Sequence, residues 1–328
     1  MVDSIYSCPI CADQPSVVEY KNVFDDRYGY PGVFEIFRCQ NCNHRFCTPP
    51  LDSSQLATVY SYYGRKATGS ASVQEAAKKS SKVSRFSRYL TGVNNQGQNF
   101  APTRSILLDV GSGDCANLLE AQMLGHDAVG FDGDEQTNRI ARDLSLEVKI
   151  GQSALDVFGE RTFSWIQLNQ VIEHLLEPEQ ELRRLGTLLD KDGRIFIATP
   201  NVNSLYRFLF QKRWINWHLP FHQHHFSKDS LKMLASKTNM KIESLRTVTP
   251  NVWAQLQFAT LLTRQTKGSP SRLWSKEFEH EIPRRDKCMR IVLKFASLIL
   301  SPFIVVVLRL VDWIGLGDCH VVILRNQA

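Results

Sequence analysis

The sequence predicts an α/β fold in which a mostly parallel sheet is covered by helices on both faces. Three observations predict it. From Ile106 onward short apolar runs alternate with helical patterns, the order that strand–helix–strand units require. The run Leu107-Leu108-Asp109-Val110-Gly111-Ser112-Gly113-Asp114 leads a hydrophobic strand into an acid and two close glycines, which let the backbone turn tightly, bring N–H groups up to a ligand and start a helix. Downstream, Ala128-Val129-Gly130-Phe131-Asp132 reads as a second strand ending in an acid, placed to hold the two hydroxyls of a ribose.

In chain order, the first element is a small metal module. Cys8-Pro9-Ile10-Cys11 and Cys39-Gln40-Asn41-Cys42 form two C-x2-C pairs, and four thiolates in tetrahedral array predict a structural zinc that replaces the core so short a module cannot build. His44 and Cys47 are spare ligand candidates, or ordinary loop and strand residues. A disulfide framework is the alternative. No charged and apolar leader precedes Cys8, so a reducing, cytoplasmic setting is expected. Cys115, Cys288 and Cys319 then read as buried thiols.

A chain of 328 residues has room for one large α/β domain, a metal module and a tail. The expected division is a zinc-binding module at 1–65, a basic helix and linker at 66–102, the core at 103–250, a helical apolar insertion at 251–317 and a closing strand at 318–328. The net charge of +6 owes much to Lys78, Lys79, Lys82, Arg85 and Arg88. This segment reads as a solvated helix face, with nucleic-acid or anionic-membrane contact as the alternative. The polar run from Thr91 to Asn99 is a linker by composition.

The glycine loop by itself also suits a dinucleotide, since the sixth position from Gly111 is the small Ala116. Asp109 and Asp114 argue against that, because two acids would repel a pyrophosphate. An amino-acid ammonium fits them better. On these residues the chain resembles class I S-adenosylmethionine-dependent methyltransferases, whose first motif is an acid-x-Gly-x-Gly loop and whose second is an acid closing the next strand.

Later segments add to the resemblance. Phe163 through Leu175 looks like the fourth strand and Glu-His turn of the ubiquinone-biosynthesis O-methyltransferase-like group, and Leu188 through Asn201 like its helix end, glycine turn and fifth strand. The resemblance implies a Rossmann-like sheet and S-adenosylmethionine held by Asp109, Gly111, Gly113, Asp132, Ser153 and Asn169. Three positions depart from the pattern: Cys115 stands where a third loop glycine is usual, Ser164 replaces an acid at the start of strand four, and Gln152 replaces a frequent acid near the adenine. The run from Arg38 to Cys42, with Pro49, Leu56 and Tyr60, resembles the zinc-binding segment of bacterial methyltransferases that serve sugar or glycan chemistry.

Ligands of such sheets bind at the carboxyl ends of the strands, which predicts one rim holding Asp109, Asp132, Asn169, Glu173 and His174. Methyl transfer to a hydroxyl needs an aligned acceptor and a proton acceptor. His174 is the first candidate base, oriented by Glu173, unless the pair only caps the next helix. The second candidate is the cluster His218, His222, His224 and His225, an aromatic acceptor lid in which His225, followed by Phe-Ser, matches a histidine of related methyltransferases. A second metal site there lacks a carboxylate close in sequence. The aromatic residues read as an acceptor wall, as core, or as a stacking surface for a sugar.

Residues 291–311 are strongly apolar, interrupted by Lys294, Pro302 and Arg309. The charge-free part, 295–308, is shorter than the roughly 20 residues a spanning helix needs. It reads either as a buried or dimer-forming helix pair or as a peripheral anchor on the inner face of the membrane, near lipid-linked acceptors. Cys319 through Arg325 reads as the last, antiparallel strand. The function expected from all this is O-methylation of a small molecule or a sugar or glycan acceptor. The alternatives are a nucleotide-sugar C-methyltransferase, a nucleic-acid-binding protein using the zinc module, and an inactive scaffold. Nucleic acid is not the expected partner, because Asn169-Gln170-Val171-Ile172 lacks the Pro-Pro-aromatic motif of base amino-methylating enzymes.

Overall fold

Strand-forming residues open the chain in the computed structural model, which describes residues 6–12, 16–62, 69–261, 263, 265–271, 273–274 and 303–327. β1 (Ser16–Val23), β2 (Phe34–Cys39) and β3 (Arg45–Thr48) pair antiparallel in that order. α1 (Ser53–Ser61) starts at Asp52, whose side chain accepts from the Gln55 N–H while Gln55 reaches back, a reciprocal cap. α2 (Ser70–Ser81) and α3 (Arg85–Thr91) follow, the latter ended by Gly92 at φ 69°.

The core then alternates strand and helix. It runs β4 (Ile106–Val110), α4 (Ala116–Met123), β5 (Asp127–Asp132), α5 (Glu135–Asp143), β6 (Val148–Ile150), α6 (Ala154–Phe158), β7 (Phe163–Asn169), α7 (Pro178–Thr187) and β8 (Leu189–Pro200). After it come α8 (Leu205–Phe210), β9 (His224–His225), α9 (Lys228–Lys237), β10 (Met240–Val248), α10 (Asn251–Leu261), helical residues 303–313 and β11 (Cys319–Asn326).

The main sheet has seven strands in the order β10-β11-β8-β7-β4-β5-β6. β4 through β8 are parallel, and β11 lies antiparallel between β8 and β10, as expected for the closing strand. The strand order reverses between β4 and β7, which opens a crevice beyond their carboxyl ends. Leu107, Leu108, Ile166, Leu168, Ile195 and Ile197 are buried because helices cover both faces. The fold is therefore the predicted Rossmann-like α/β sheet with a small antiparallel sheet at its N-terminus.

Three local readings come out differently. The glycine turn expected near Gly193 is instead part of β8: Leu189 already pairs with Phe163, and the irregularity is a register shift between Phe163 and Trp165. Residues near the end of the presumed linker pack on the sheet, where the Gly97 N–H donates to Asn169 Oδ1 at 2.8 Å. Only glycine fits there, since a Cβ would stand 2.6 Å from Gln167 Oε1. Lys78 and Lys79 are exposed, but Arg88 is buried and paired with Glu120 at 2.6 Å. Its guanidinium finds carbonyl and carboxylate acceptors that a solvated face would not supply.

The N-terminal sheet is also not closed within its own segment. Its fourth strand is β9, so Arg45 pairs with His225 and Phe46 with His224. Cys8, Ile10, Cys39 and Cys42 share one core cluster with Ile172, Phe226 and Leu231, and the Ser227 hydroxyl donates to the Cys42 carbonyl at 2.7 Å. Among the described residues no helix is long and apolar enough to cross a membrane. Cys288 and residues 291–302 lie outside the described residues. Arg309, which interrupts the apolar run in sequence, is buried, pairs with Asp312 at 3.2 Å and donates to the Tyr89 carbonyl at 2.7 Å.

Candidate active site and cysteine cluster

β4 ends where the chain must reverse into α4, and the turn is built on residues in the left-handed region. Gly111 has φ 72° and Gly113 φ 56°. The N–H groups of Gly111 and Ser112 donate to the Phe131 carbonyl at 2.8 and 3.1 Å, tying the loop to β5. A Cβ on Gly111 would approach Val171 Cγ2 to 2.6 Å, so Gly111→Ala adds steric conflict to backbone strain. The expected loss is about 2 kcal/mol or more, read by denaturant unfolding; a variant as stable as the parent would remove this account of the turn. Gly113 is different, since a Cβ there would meet nothing nearer than the Gly111 carbonyl oxygen at 3.9 Å. Cys115, the departure from the family pattern, adopts φ 62° and is fully buried, a glycine-like backbone carrying a packed thiol.

The acids of the predicted rim do different jobs. Asp109 is 2% exposed; its Oδ1 accepts from Gln167 Nε2 at 2.8 Å, and among the described residues Oδ2 has no hydrogen-bond partner. Burial pushes its carboxyl up to about 7. Asn169 Nδ2 and Ser153 Oγ are likewise buried without partners. One carboxylate oxygen lacking a donor and one amide nitrogen lacking an acceptor, at the ends of the adjacent strands β4 and β7, fit the ammonium and carboxylate of an amino-acid moiety. Asp132, expected on a ribose, accepts from the Gly113 N–H at 2.7 Å and the Asp134 N–H at 2.9 Å, so it also shapes the loop. Its oxygens keep further lone pairs for hydroxyl donors.

The turn after β7 carries Glu173 and His174. Glu173 is fully buried; Oε2 accepts from the Thr199 hydroxyl at 3.0 Å and, among the described residues, Oε1 has no hydrogen-bond partner. Burial pushes its carboxyl up to about 8 and the His174 imidazole down to about 4. His174 is oriented not by Glu173 but through Nδ1, which lies 3.0 Å from the Phe221 carbonyl and 3.1 Å from the Tyr60 hydroxyl.

The histidine segment splits into two groups. His218 and His222 face the Glu-His turn: the His222 ring stands 4.6 Å from that of His174, edge to face. Burial holds both imidazoles well below their usual range. His224 and His225 face the N-terminal sheet. His224 Nδ1 lies 3.0 Å from His44 Nε2, and His225 Nε2 lies 3.0 Å from the Trp217 carbonyl. His225 is only 1% exposed, and its ring stands 6.1 Å from that of His222. Gln167, Gly97 and Thr199 touch the candidate residues although no motif marked them.

The four cysteines of the two C-x2-C pairs converge, with all sulfurs within 4.8 Å of one another. Cys8 and Cys42 Sγ are 3.6 Å apart, Cys11 and Cys39 Sγ 3.4 Å apart. A disulfide would bring sulfurs to about 2.05 Å. Ligands at about 2.3 Å from one zinc stand roughly 3.8 Å apart, close to what is seen. The Ile10 N–H lies 3.4 Å from Cys8 Sγ, a donor for a thiolate. His44 is buried against His224 and Phe226, and Cys47 is a buried β3 residue whose thiol burial pushes up.

Residues 78–245 match the family described as a methyltransferase domain. No curated protein matches the chain. Solved structures with similar chains include two methyltransferases and a complex with a methyltransferase activator. One from Thermotoga maritima is 20% identical, with 49% of this chain and 73% of that one covered and a TM-score of 0.39. One from Archaeoglobus fulgidus is 15% identical, with 84% and 100% covered and a TM-score of 0.42. The complex of a methyltransferase with the Haloferax volcanii Trm112 activator is 12% identical, with 77% and 96% covered and a TM-score of 0.45.

Proposed function

This chain belongs to the methyltransferase-domain family and uses S-adenosylmethionine, and from that premise we propose that it methylates a hydroxyl of a small-molecule or sugar-bearing acceptor. S-adenosylmethionine supplies the electrophilic methyl group. Asp109 takes its ammonium, Asn169 its carboxylate, Asp132 its ribose, Ser153 the adenine side, and the open face of Gly113 gives the backbone close approach.

The observation that carries the reading is His174. With Nδ1–H donating to the Phe221 carbonyl, its Nε2 keeps a lone pair for a proton. A neutral imidazole at the end of β7 takes the acceptor's hydroxyl proton as its oxygen becomes nucleophilic. A cavity of about 600 Å³ supports a sugar-bearing acceptor: Trp217 and His218 line it together with Lys212, Arg213 and Asp26. Aromatic faces and cations suit a sugar ring carrying an anionic group.

The cysteine cluster is read as one structural zinc, and the zinc module as the support of the acceptor wall. Exposed Phe208, Leu209, Phe258, Phe303, Trp313 and Ile314 favour peripheral contact with a lipid surface as the place where acceptors are met.

The test is transfer of isotopic methyl from S-adenosylmethionine by zinc-replete protein into sugar-nucleotide, lipid-linked glycan, small aromatic and RNA pools. Label in a hydroxyl-bearing small-molecule or glycan pool is expected. His174→Gln is expected to lower kcat by about 100-fold or more while cofactor affinity changes less than about twofold. Label in RNA, or none despite cofactor binding, overturns the reading.

A further inference from the structure

Three ligand atoms meet beside the strand ends, and one of them, Glu173 Oε1, has no hydrogen-bond partner among the described residues. One ligand atom each from Glu173, His174 and His222 lies within 4.8 Å of the other two. The histidine tautomers follow from their partners. His174 Nδ1 lies 3.0 Å from the Phe221 carbonyl and His222 Nδ1 2.9 Å from the Asn216 carbonyl, and a carbonyl accepts only, so both Nδ1 atoms carry the proton. Both Nε2 atoms therefore present lone pairs. Glu173 contributes Oε1, fully buried and without a donor, while Oε2 is held by Thr199.

Histidines anchored through Nδ1–H to backbone carbonyls, and a carboxylate steadied by a hydroxyl, are the supporting contacts that metal ligands require. His218 Nδ1, 3.4 Å from His222 Nε2, is a neighbouring ring nitrogen that could donate, at the long end of hydrogen-bond range. The nearby Arg27 guanidinium is engaged elsewhere, with Asp26 at 3.7 Å, the Ile215 carbonyl and the Trp274 face. His174 is only half-buried, which leaves the cluster open on one side.

We propose that Glu173, His174 and His222 form a second metal site, distinct from the cysteine cluster, for a divalent cation of the Mn²⁺ to Zn²⁺ series that holds the acceptor oxygen. Two imidazoles, one carboxylate and an open position make a catalytic rather than a structural ligand set. The proposal rests on the methyltransferase reading and refines it. The cation takes the His174 lone pair, acidifies the bound acceptor hydroxyl, and the proton leaves to water instead of to the imidazole.

The experiment uses full-length protein carrying one zinc per chain, titrated with Mn²⁺ and followed by the paramagnetic resonance of free Mn²⁺. One further site per chain is expected, weakened at least 10-fold by Glu173→Gln and by His222→Gln and unaffected by Cys47→Ser. Melting curves certify that each variant is folded, and either substitution alone suffices. No Mn²⁺ uptake, or equal uptake in the folded variants, overturns the site. Methyl transfer that persists undiminished after Mn²⁺ is stripped overturns the cation's catalytic role and leaves His174 as the base. Mn²⁺ bound at these residues with no acceptor methylated in any pool retains the site and defeats the functional reading instead.

Discussion

Replacing Asp109 by asparagine is expected to raise the dissociation constant for S-adenosylmethionine by at least about 100-fold at pH 8, close to 3 kcal/mol. The size follows from where the carboxylate sits. It is buried, its Oδ1 already serves Gln167, and its Oδ2 lacks a partner until an ammonium arrives. An uncompensated charge in that position is costly, and burial accordingly pushes the carboxyl up to about 7. The sign is set by which form binds a cation. The carboxylate does, so parent affinity should rise about tenfold per pH unit up to about pH 7 and level off above it. The substituted amide has nothing to titrate, so that slope should vanish in the variant. Calorimetric titration at pH 5.5, 7 and 8.5 checks both; unchanged affinity, or the same slope in the variant, would refute the assignment of this carboxylate.

Removal of the proposed zinc from the cysteine cluster should have consequences well beyond the N-terminal segment. Structural zinc contributes on the order of 10 kcal/mol to the folding of small modules. Here the module supplies three of the four strands in a sheet whose last member is His224–His225. It also shares a core cluster with Ile172, next to Glu173. Chelation, or Cys39→Ser, is therefore expected to release one zinc per chain, lower the melting temperature by roughly 10 °C and abolish methyl transfer. Elemental analysis, calorimetry and the transfer assay read the three effects. A zinc-free protein that melts normally and still transfers methyl would defeat the idea that the module supports the acceptor wall.

The features legible in the sequence are those whose chemistry is local. Gly111 and Gly113 are needed because the chain reverses direction at that point, and the apolar runs around Leu107 and Val129 announce parallel strands buried on both faces. The two C-x2-C turns name their own partners. Cys115 shows how far local reading reaches: the family pattern implies a glycine-type backbone at that position, and φ 62° is what the chain adopts there. Local reading fails where polar residues find partners from distant segments. Arg88 has the sequence context of one more solvated cation, yet it is buried on Glu120. The polar run through Asn99 has the composition of a tether, yet Gly97 donates to Asn169 and fills the space against Gln167.

The histidine segment shows the same limit in the site itself. A second metal site is poorly supplied in sequence because no carboxylate lies near His222 in the chain. The sheet provides one by bringing the β7 turn against the loop after α8, so that Glu173 and His174 stand beside His222. His225, prominent as a motif, is instead a strand residue pairing with Arg45. The sequence alone thus determined the sheet, its glycine loop and the four-cysteine cluster, because turn geometry and ligand spacing are set by residues that are neighbours in the chain. Tertiary structure alone decided which buried polar atoms are satisfied and which are left facing the cleft. Burial makes every hydrogen-bond partner count, and those partners come from segments that only the closed fold brings together.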